Sequence, residues 1–83
     1  MNQKSTITVV VDGTPVEVSF NENAPVRTLI PEALKLSGSA DRNPNDWQLK
    51  FEGTPLNLDT KINDLHLPPG AVLFLSLLAG VLG

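Results

Sequence analysis

The sequence predicts one small α+β domain, in which a mixed sheet of four to five strands carries a single helix on one face. The chain has 83 residues, which is enough for one hydrophobic core and too few for two domains. Its patterns run as two strands, one helix and then further short strands. An amphipathic helix after a hairpin must bury its apolar stripe against the sheet, and the crossover through that helix gives the sheet a parallel pair.

The N-terminal part of the chain predicts a β-hairpin. Residues 7–11 are β-branched throughout, which favours a strand. Asp12-Gly13 is typical of a tight turn, because both residues tolerate a positive φ. Apolar and polar side chains then alternate over residues 16–20, so the second strand is expected to bury one face. Pro15 indicates that this strand lies at an edge of the sheet.

A helix is predicted from about residue 25 to residue 36, where apolar side chains recur at helical spacing. Pro25 suits the first position of a helix, since the N–H that proline lacks has no partner there. Pro31 falls inside the pattern, so we expect a bend or a loose first turn. Gly38 is typical of a residue that ends a helix. Residues 37–46 are polar and predict a loop.

The second half of the chain predicts three further strands, at residues 47–52, 56–58 and 71–78. The first of them alternates apolar and polar side chains, which is typical of a strand with one buried face. A short helical turn and a loop are expected between the last two strands, where prolines and a glycine precede the final strand.

Composition argues against several classes of function. The chain has no cysteine and one histidine, His66, so neither a disulfide framework nor a histidine or cysteine metal site is expected. Six basic residues stand against nine acidic ones, for a net charge of −3, and nucleic-acid binding needs a basic face. The acidic residues show no paired or metal-like spacing. We therefore expect no enzyme activity, no catalytic residue, no metal and no cofactor.

The chain is expected to form one domain over residues 1–83, with an N-terminal arm at 1–6 and a C-terminal tail at 79–83. The arm lacks the apolar stretch of a signal peptide, so a cytoplasmic location is expected. Residues 70–83 carry no charged side chain, but they are fewer than the ~20 residues that a membrane-spanning helix needs. No membrane span is expected.

Two motifs in the second half resemble the ubiquitin-like family. They are Phe51-x-Gly53-x-x-Leu56 and Ile62-x-Asp64-x-x-Leu67, followed by a leucine-rich last strand. The hairpin and the helix precede them in the family's order. The resemblance covers residues 7–80 and implies a β-grasp fold. The chain also resembles the bacterial ubiquitin-like modifiers, which act beside activating, conjugating and deconjugating enzymes.

The tail is where the resemblance places chemistry. Ubiquitin-like modifiers and sulfur carriers end in Gly-Gly, because a chain without side chains can thread the narrow channel in which its carboxylate is adenylated. Here Gly80 aligns with the first glycine of that pair, and Gly83 is the last residue of the sequence. Either Gly83 is activated directly, or a protease first trims the tail near Gly80. The alternative is a tail with no part in conjugation.

The last strand is apolar on both of its faces. Placed by the resemblance, Val72 and Phe74 pack under the helix. The outer face is then expected to carry Leu73, Leu75 and Leu77. A sheet face that meets water usually has polar residues, so these leucines predict either a partner-binding patch or partial cover by the tail. Lys50 is expected on the same face, in place of an aliphatic residue of the family's binding patch.

These observations favour a ubiquitin-like modifier or carrier. Its C-terminal carboxylate would be activated by a partner ATP-dependent enzyme and transferred to a target. Its partners would be activating and conjugating enzymes, or a docking protein. The alternative is a non-conjugated interaction module that binds a partner, or weakly itself, through the apolar outer face. A sulfur carrier is a third hypothesis, although its carboxylate would also favour Gly-Gly.

Overall fold

The computed structural model describes residues 5–39 and 41–78. Five strands and one α-helix follow one another along these residues. They are β1 (Ser5–Val11), β2 (Thr14–Phe20), α1 (Leu29–Leu36), β3 (Trp47–Phe51), β4 (Thr54–Pro55) and β5 (Val72–Leu77). Short 3-10 turns lie at Val26–Thr28, Pro44–Asp46 and Ile62–Leu65. The predicted α+β architecture, a mixed sheet with one helix, is confirmed.

The five strands form one sheet in the order β2-β1-β5-β3-β4. β1 and β5 are parallel, and the other neighbouring strands are antiparallel. The crossover that joins the N-terminal hairpin to the rest of the sheet therefore produces a parallel pair at its centre, as the order of elements predicts. β2 lies at an edge, which confirms the prediction from Pro15.

The two hairpin turns share one design. Asp12-Gly13 joins β1 to β2, and Glu52-Gly53 joins β3 to β4. All four residues have a positive φ, between 49° and 81°. Positive φ at both central residues is the mark of a type I′ turn, whose twist matches that of the strands it joins. Each turn is followed by a Thr-Pro pair.

The helical segment begins with the 3-10 turn at Val26–Thr28 and continues as α1. Pro31 lies in the first turn of α1, where the N–H groups have no partner within the helix. The predicted loose first turn is therefore confirmed, and the proline costs the helix little. Beyond the helix Gly38 has a φ of 85°, and the amide of Ser39 donates to the carbonyl of Leu34 over 2.7 Å. This left-handed glycine with its capping bond ends α1 as expected.

The core lies between α1 and the face of the sheet that α1 covers. Side chains from both layers are almost fully excluded from water there. The most buried of the large ones are Val9, Val11, Val18, Val26, Leu29, Ile30, Leu34, Leu49 and Leu73. The alternating apolar positions of β1, β2 and β3 thus point to one side of the sheet, as period-2 patterning requires.

The facing predicted for β5 is wrong. Leu73 is 0% exposed and Leu75 is 5% exposed, whereas Val72 and Phe74 are 37% and 51% exposed. The register explains this outcome, because Leu73 pairs with the buried Val9 of β1. Aligned partners on neighbouring strands point to the same face, so the leucines lie under α1. A shift of one residue in the register moves every side chain of a strand to the other face.

Two predicted boundaries also differ from the structure. β1 begins at Ser5, so two residues of the expected arm belong to the sheet. β4 is the pair Thr54–Pro55 rather than residues 56–58, because the tight turn makes pairing start directly after the glycine. In the part of the chain that the structure describes, no helix has the length and apolar character that crossing a membrane requires.

Candidate protein-binding face

The outer face of the sheet is the surface opposite α1. One row of aligned partners crosses all five strands on this face, and we call it the central row. It consists of Pro15, Val10, Phe74, Lys50 and Pro55, in the spatial order of the strands. Side chains at such aligned positions touch or nearly touch their neighbours. The central row is therefore continuous from one edge of the sheet to the other.

Phe74 stands at the middle of the central row and is the most exposed large apolar side chain of the sheet, at 51%. Val72, two residues earlier on β5, is also exposed, and Val10 beside Phe74 is half-buried. An outer sheet face that meets only water usually carries polar side chains. The structure therefore shows an apolar patch at the centre of the outer face, made of Val10, Val72 and Phe74.

Charge on the outer face is sparse. The outward side chains of the three central strands are Thr6, Thr8, Val10, Val72, Phe74, Ser76, Gln48 and Lys50. Within this described set, Lys50 is the one charged side chain. It pairs across the sheet with Phe74 on one side and with Pro55 on the other. A partner that covers the patch can thus combine apolar contact with an acceptor for the Lys50 ammonium group.

The predicted site residues have different fates. Leu73 and Leu75 belong to the core, so their predicted role in partner binding is wrong. Leu77 is half-buried and packs against the core cluster. Lys50 lies on the outer face, as expected, and its role in binding stays a prediction. Gly80 and Gly83 lie outside the described residues, so the chemistry assigned to them stays a prediction as well.

The residues that sequence reasoning missed are Val10, Val72 and Phe74. β1 and β5 are both apolar runs, so hydropathy alone does not tell their two faces apart. One signal was present, because Ser76 is the one polar residue of β5 and is in phase with Val72 and Phe74. The signal is one of spacing alone, because the Ser76 hydroxyl oxygen is itself excluded from water and has no hydrogen-bond partner among the described residues.

A second exposed apolar side chain provides a contrast. Leu36, at the end of α1, is 50% exposed and lies one helical turn from the exposed Glu32. A single apolar side chain among polar ones is ordinary on a protein surface. Phe74 has nearly the same exposure but has apolar neighbours on two sides. The difference is the continuity of the patch, and it makes Leu36 a matched control for Phe74.

What the outer face offers chemically is contact, through aromatic and aliphatic surface, threonine hydroxyls, the Lys50 ammonium group and, on the edge strand β2, the Glu17 carboxylate that is aligned with Thr8. Among the described residues, no group of three or more histidine, aspartate or glutamate side chains is arranged to hold a metal ion. The expectation that the chain has no enzymatic activity stays a prediction.

Comparison with known proteins agrees with this architecture. The ubiquitin of Caldiarchaeum subterraneum superimposes with a TM-score of 0.72 at 19% identity, covering 94% of this chain and all of that one. A designed protein based on ubiquitin superimposes with a TM-score of 0.76 at 17% identity, covering 96% of this chain and 95% of that one. At such low identity these likenesses show the fold alone, which is ubiquitin-like.

A bacterial relative is more similar in sequence. The uncharacterized protein y4jI of Sinorhizobium fredii is 40% identical over 81 residues, which cover 96% of this chain and 62% of the relative. This chain therefore spans under two thirds of the length of that relative. A family model described as "Protein of Unknown function (DUF2604)" matches residues 1–83. By that match the chain belongs to the DUF2604 family, and the described residues of this chain have a ubiquitin-like fold.

Proposed function

We propose that this chain is a ubiquitin-like interaction module that binds a protein partner through its outer sheet face. The observation that carries this proposal is the exposure of Phe74 at the centre of the sheet, with Val10 and Val72 beside it. Leaving an aromatic side chain exposed to water at such a place costs free energy, and a partner that covers it gains binding free energy. Aromatic residues at the centre of an interface supply much of its binding energy.

The size of the effect can be estimated from the side chain alone. A phenylalanine has roughly 200 Å² of surface, and half of it remains exposed here. Covering that half contributes about 2.5 kcal/mol at about 25 cal/mol per Å². This amount corresponds to a factor of roughly 70 in the dissociation constant. Val10 and Val72 add to it, and a carboxylate of the partner opposite Lys50 would fix the orientation.

The experiment that tests this proposal places a photo-crosslinking phenylalanine analogue at position 74, and in a second variant at position 36. The two sites have nearly the same exposure, 51% and 50%, and differ in their apolar surroundings. We expect irradiation of cells of the source organism to give a discrete cross-linked product from position 74 and none from position 36. The product should be lost when Val10 and Val72 are both changed to serine.

Equal cross-linking from both positions would mean that position 74 reports only surface exposure. The absence of any product from position 74, with the variant folded and expressed, would also contradict the proposal. A product that contains two copies of this chain would make the outer face a site of self-association.

The second candidate function is that of a modifier or carrier, and two observations favour it. The fold resembles that of a protein described as an archaeal ubiquitin. At the end of β5, the amide of Leu78 donates to the carbonyl of Asp46 over 2.9 Å. The glycine-bearing residues 79–83 follow this anchored position in the sequence.

In that function the chemistry is carboxylate transfer. A terminal carboxylate attacks the α-phosphate of ATP and releases pyrophosphate, and the acyl adenylate then passes the acyl group to a thiol or an amine with release of AMP. The nucleotide and the catalytic groups come from a partner enzyme. Activation at Gly83, or after trimming at Gly80, is part of this proposal.

An N-terminally tagged chain tests this second function in extracts of the source organism. We expect ATP-dependent adducts of higher mass that disappear when residues 80–83 are removed. The serine variant of Val10 and Val72 serves as the control, because it leaves the tail intact. Adducts that persist without residues 80–83 would contradict the modifier function and leave the interaction module untouched.

A further inference from the structure

A groove of about 620 Å³ lies beside the N-terminal half of β1. One wall is the end of the β1–β2 hairpin, and the other is the loop over residues 66–71 that leads into β5. Side chains from both faces of β1 line it, among them Ile7 from the core side and Thr6 from the outer side. A groove lined in this way follows the edge of a strand rather than one of its faces. Val10, Val72 and Phe74 are not among its described lining residues, although Thr8, which lines it, is aligned with Val72.

The groove exists because β1 is longer than its parallel neighbour at this end. β2 pairs with β1 along its whole length, from Ser5 to Val11. β5 joins β1 only from Thr8, which pairs with Val72. Residues 5–7 of β1 therefore have a strand on one side and the groove on the other.

The length of the hairpin turn determines which backbone N–H and C=O groups face the groove. In a hairpin closed by a two-residue turn, the residues that flank the turn form a hydrogen-bonded pair, and the pairs alternate from there. Val11 flanks the turn, so Val11, Val9 and Ile7 bond to β2. Val10, Thr8 and Thr6 then direct their N–H and C=O groups the other way. Thr8 and Val10 meet β5 there, and Thr6 faces the groove.

The loop on the far wall does not pair with Thr6. Its backbone bonds close within the loop or upstream of it, since Ala71 donates to Pro68 over 3.1 Å and His66 donates to Asn63 over 3.4 Å. Pro68 and Pro69 have no N–H to offer. In the described part of the chain, the Thr6 edge is thus a short open strand edge that is recessed into the surface.

The titratable side chains that line the groove are two carboxylates and the imidazole of His66. Glu17 and Glu22 both line it, and none of its described lining residues is lysine or arginine. The Ser5 hydroxyl donates to a Glu22 carboxylate oxygen over 3.4 Å and leaves the second oxygen available. The floor is apolar, with Phe20 and Ile62 next to Ile7. Extended peptides recognise such places through main-chain bonds to the open edge and side-chain contacts on either face.

We propose that this groove binds an extended basic segment of a partner protein, which adds to β1 as a short strand at Thr6. One residue of the segment exchanges main-chain hydrogen bonds with Thr6. The side chain of this residue points to the same face as Thr6 and is a lysine or arginine that reaches Glu17 and Glu22. The apolar residues on either side of it lie on Ile7 and Phe20. The acidic lining selects the sign of the partner, because an acidic segment would meet two carboxylates in the groove.

Titration of the isotope-labelled chain with acetyl-Lys-Val-Lys-Val-Lys-amide tests the proposal by NMR. We expect saturable shifts centred on the amides of Thr6 and of residues 66–71, with slower hydrogen exchange at the Thr6 amide. The peptide acetyl-Glu-Val-Glu-Val-Glu-amide should give no such shifts. Shifts centred instead on the patch around Phe74, or equal shifts with both peptides, would overturn the proposal.

Two proline variants isolate the main-chain bond. Thr6→Pro removes the N–H that faces the groove without touching a bond to β2, and should weaken binding about threefold to tenfold, as expected when one main-chain hydrogen bond to the ligand is lost. Ser19→Pro is the matched control. Ser19 is the aligned partner of Thr6, and its N–H faces the solvent edge of β2. If both variants fold and bind the lysine peptide equally well, the strand-addition geometry is wrong.

Separate variants test how much the carboxylates contribute to binding and whether another segment fills the groove. The double change Glu17→Gln and Glu22→Gln should weaken binding about fivefold, a range expected for partly exposed ion pairs. A chain that begins at Ser5 should bind the peptide as the full chain does. Tighter binding by the shortened chain would mean that residues 1–4 compete for the groove, and a dimer that the peptide dissociates would mean that a second copy fills it. Either result would overturn the assignment to a partner protein.

Discussion

Alternate residues of β5 have opposite surroundings although their hydropathies are similar. Leu73 and Leu75 are almost fully buried under α1, while Val72 and Phe74 are exposed on the outer face. Along β1, the buried Val9 and the half-buried Val10 show a milder form of the same contrast. The comparison teaches that an apolar side chain in the central strands is not by itself a core residue. The register decides, and the face that the register leaves outward becomes available for binding.

The largest expected difference between the buried face and the outer face of β5 comes from placing a charge on each of them. Leu75→Lys puts an ammonium group where 5% of the side chain is exposed, and the free energy of unfolding should fall by about 4 kcal/mol or more. Phe74→Lys should leave the chain folded, with a change below about 1 kcal/mol. Urea denaturation followed by circular dichroism measures both. Equal losses in the two variants would contradict the facing of β5.

A truncation of each side chain gives the next largest effect. Leu73→Ala should lower the free energy of unfolding by about 3 kcal/mol, because it leaves a cavity between the sheet and α1. Phe74→Ala removes more atoms but opens no cavity, so a loss under about 1 kcal/mol is expected. Thermal unfolding and urea midpoints should rank the two variants in this order. The reverse ranking would place Phe74 in the core.

The same comparison can be made on β1 with an isosteric pair. Val9→Thr buries a hydroxyl group at a position with 0% exposure, and should cost about 1 to 2 kcal/mol. Val10→Thr presents its hydroxyl to the outer face, where threonines already stand beside it, and should change the stability by less than about 0.5 kcal/mol. Chemical denaturation of both variants checks the difference, and a destabilised Val10→Thr would show that something covers the outer face.

The smallest expected effect on stability concerns Lys50. Lys50→Met would make the central row apolar at every position from edge to edge, and the free energy of unfolding should change by less than about 0.5 kcal/mol. Self-association should increase, because the ammonium group that interrupts the patch is gone. Sedimentation velocity at several concentrations measures this. A monomer at every concentration would limit the apolar patch to partners other than this chain.

Much of the fold follows from local signals in the sequence. Asp12-Gly13 predicts its turn because only a few residues accept positive φ at both turn positions. Pro15 predicts an edge strand, and Gly38 predicts the end of α1, for reasons that lie in one or two residues. The parallel pair follows from the order of elements. Each of these predictions depends on the local conformation of the backbone or on the order of the elements, and not on contacts between distant side chains.

The candidate site was less predictable, because it depends on contacts between distant segments. Which face of β5 is outward is decided by its pairing with β1 and β3, more than twenty residues away along the chain. The apolar run of β5 contains one polar residue, Ser76, which is in phase with Val72 and Phe74 but whose hydroxyl is itself excluded from water. The groove beside β1 depends on a difference in strand length of a few residues, and boundaries of that kind are what sequence patterns resolve least well. Of the apolar patch and Lys50, only Lys50 was placed correctly on the outer face, and that prediction came from the resemblance to the ubiquitin-like family.

The Thr-Pro pair after each hairpin turn has a consequence for aggregation. Pro15 and Pro55 occupy the two outermost strands, at the two ends of the central row, and each stands at a position whose nitrogen faces away from the sheet. Neither nitrogen carries a hydrogen, so a further strand cannot continue the ladder at that level. A protein with an exposed aromatic patch on a sheet is at risk of growing edge to edge into fibrils. Because both outer edges are blocked at the level of Phe74, association is directed to the face of the sheet. An apolar surface can therefore stay exposed on this face without edge-to-edge polymerisation.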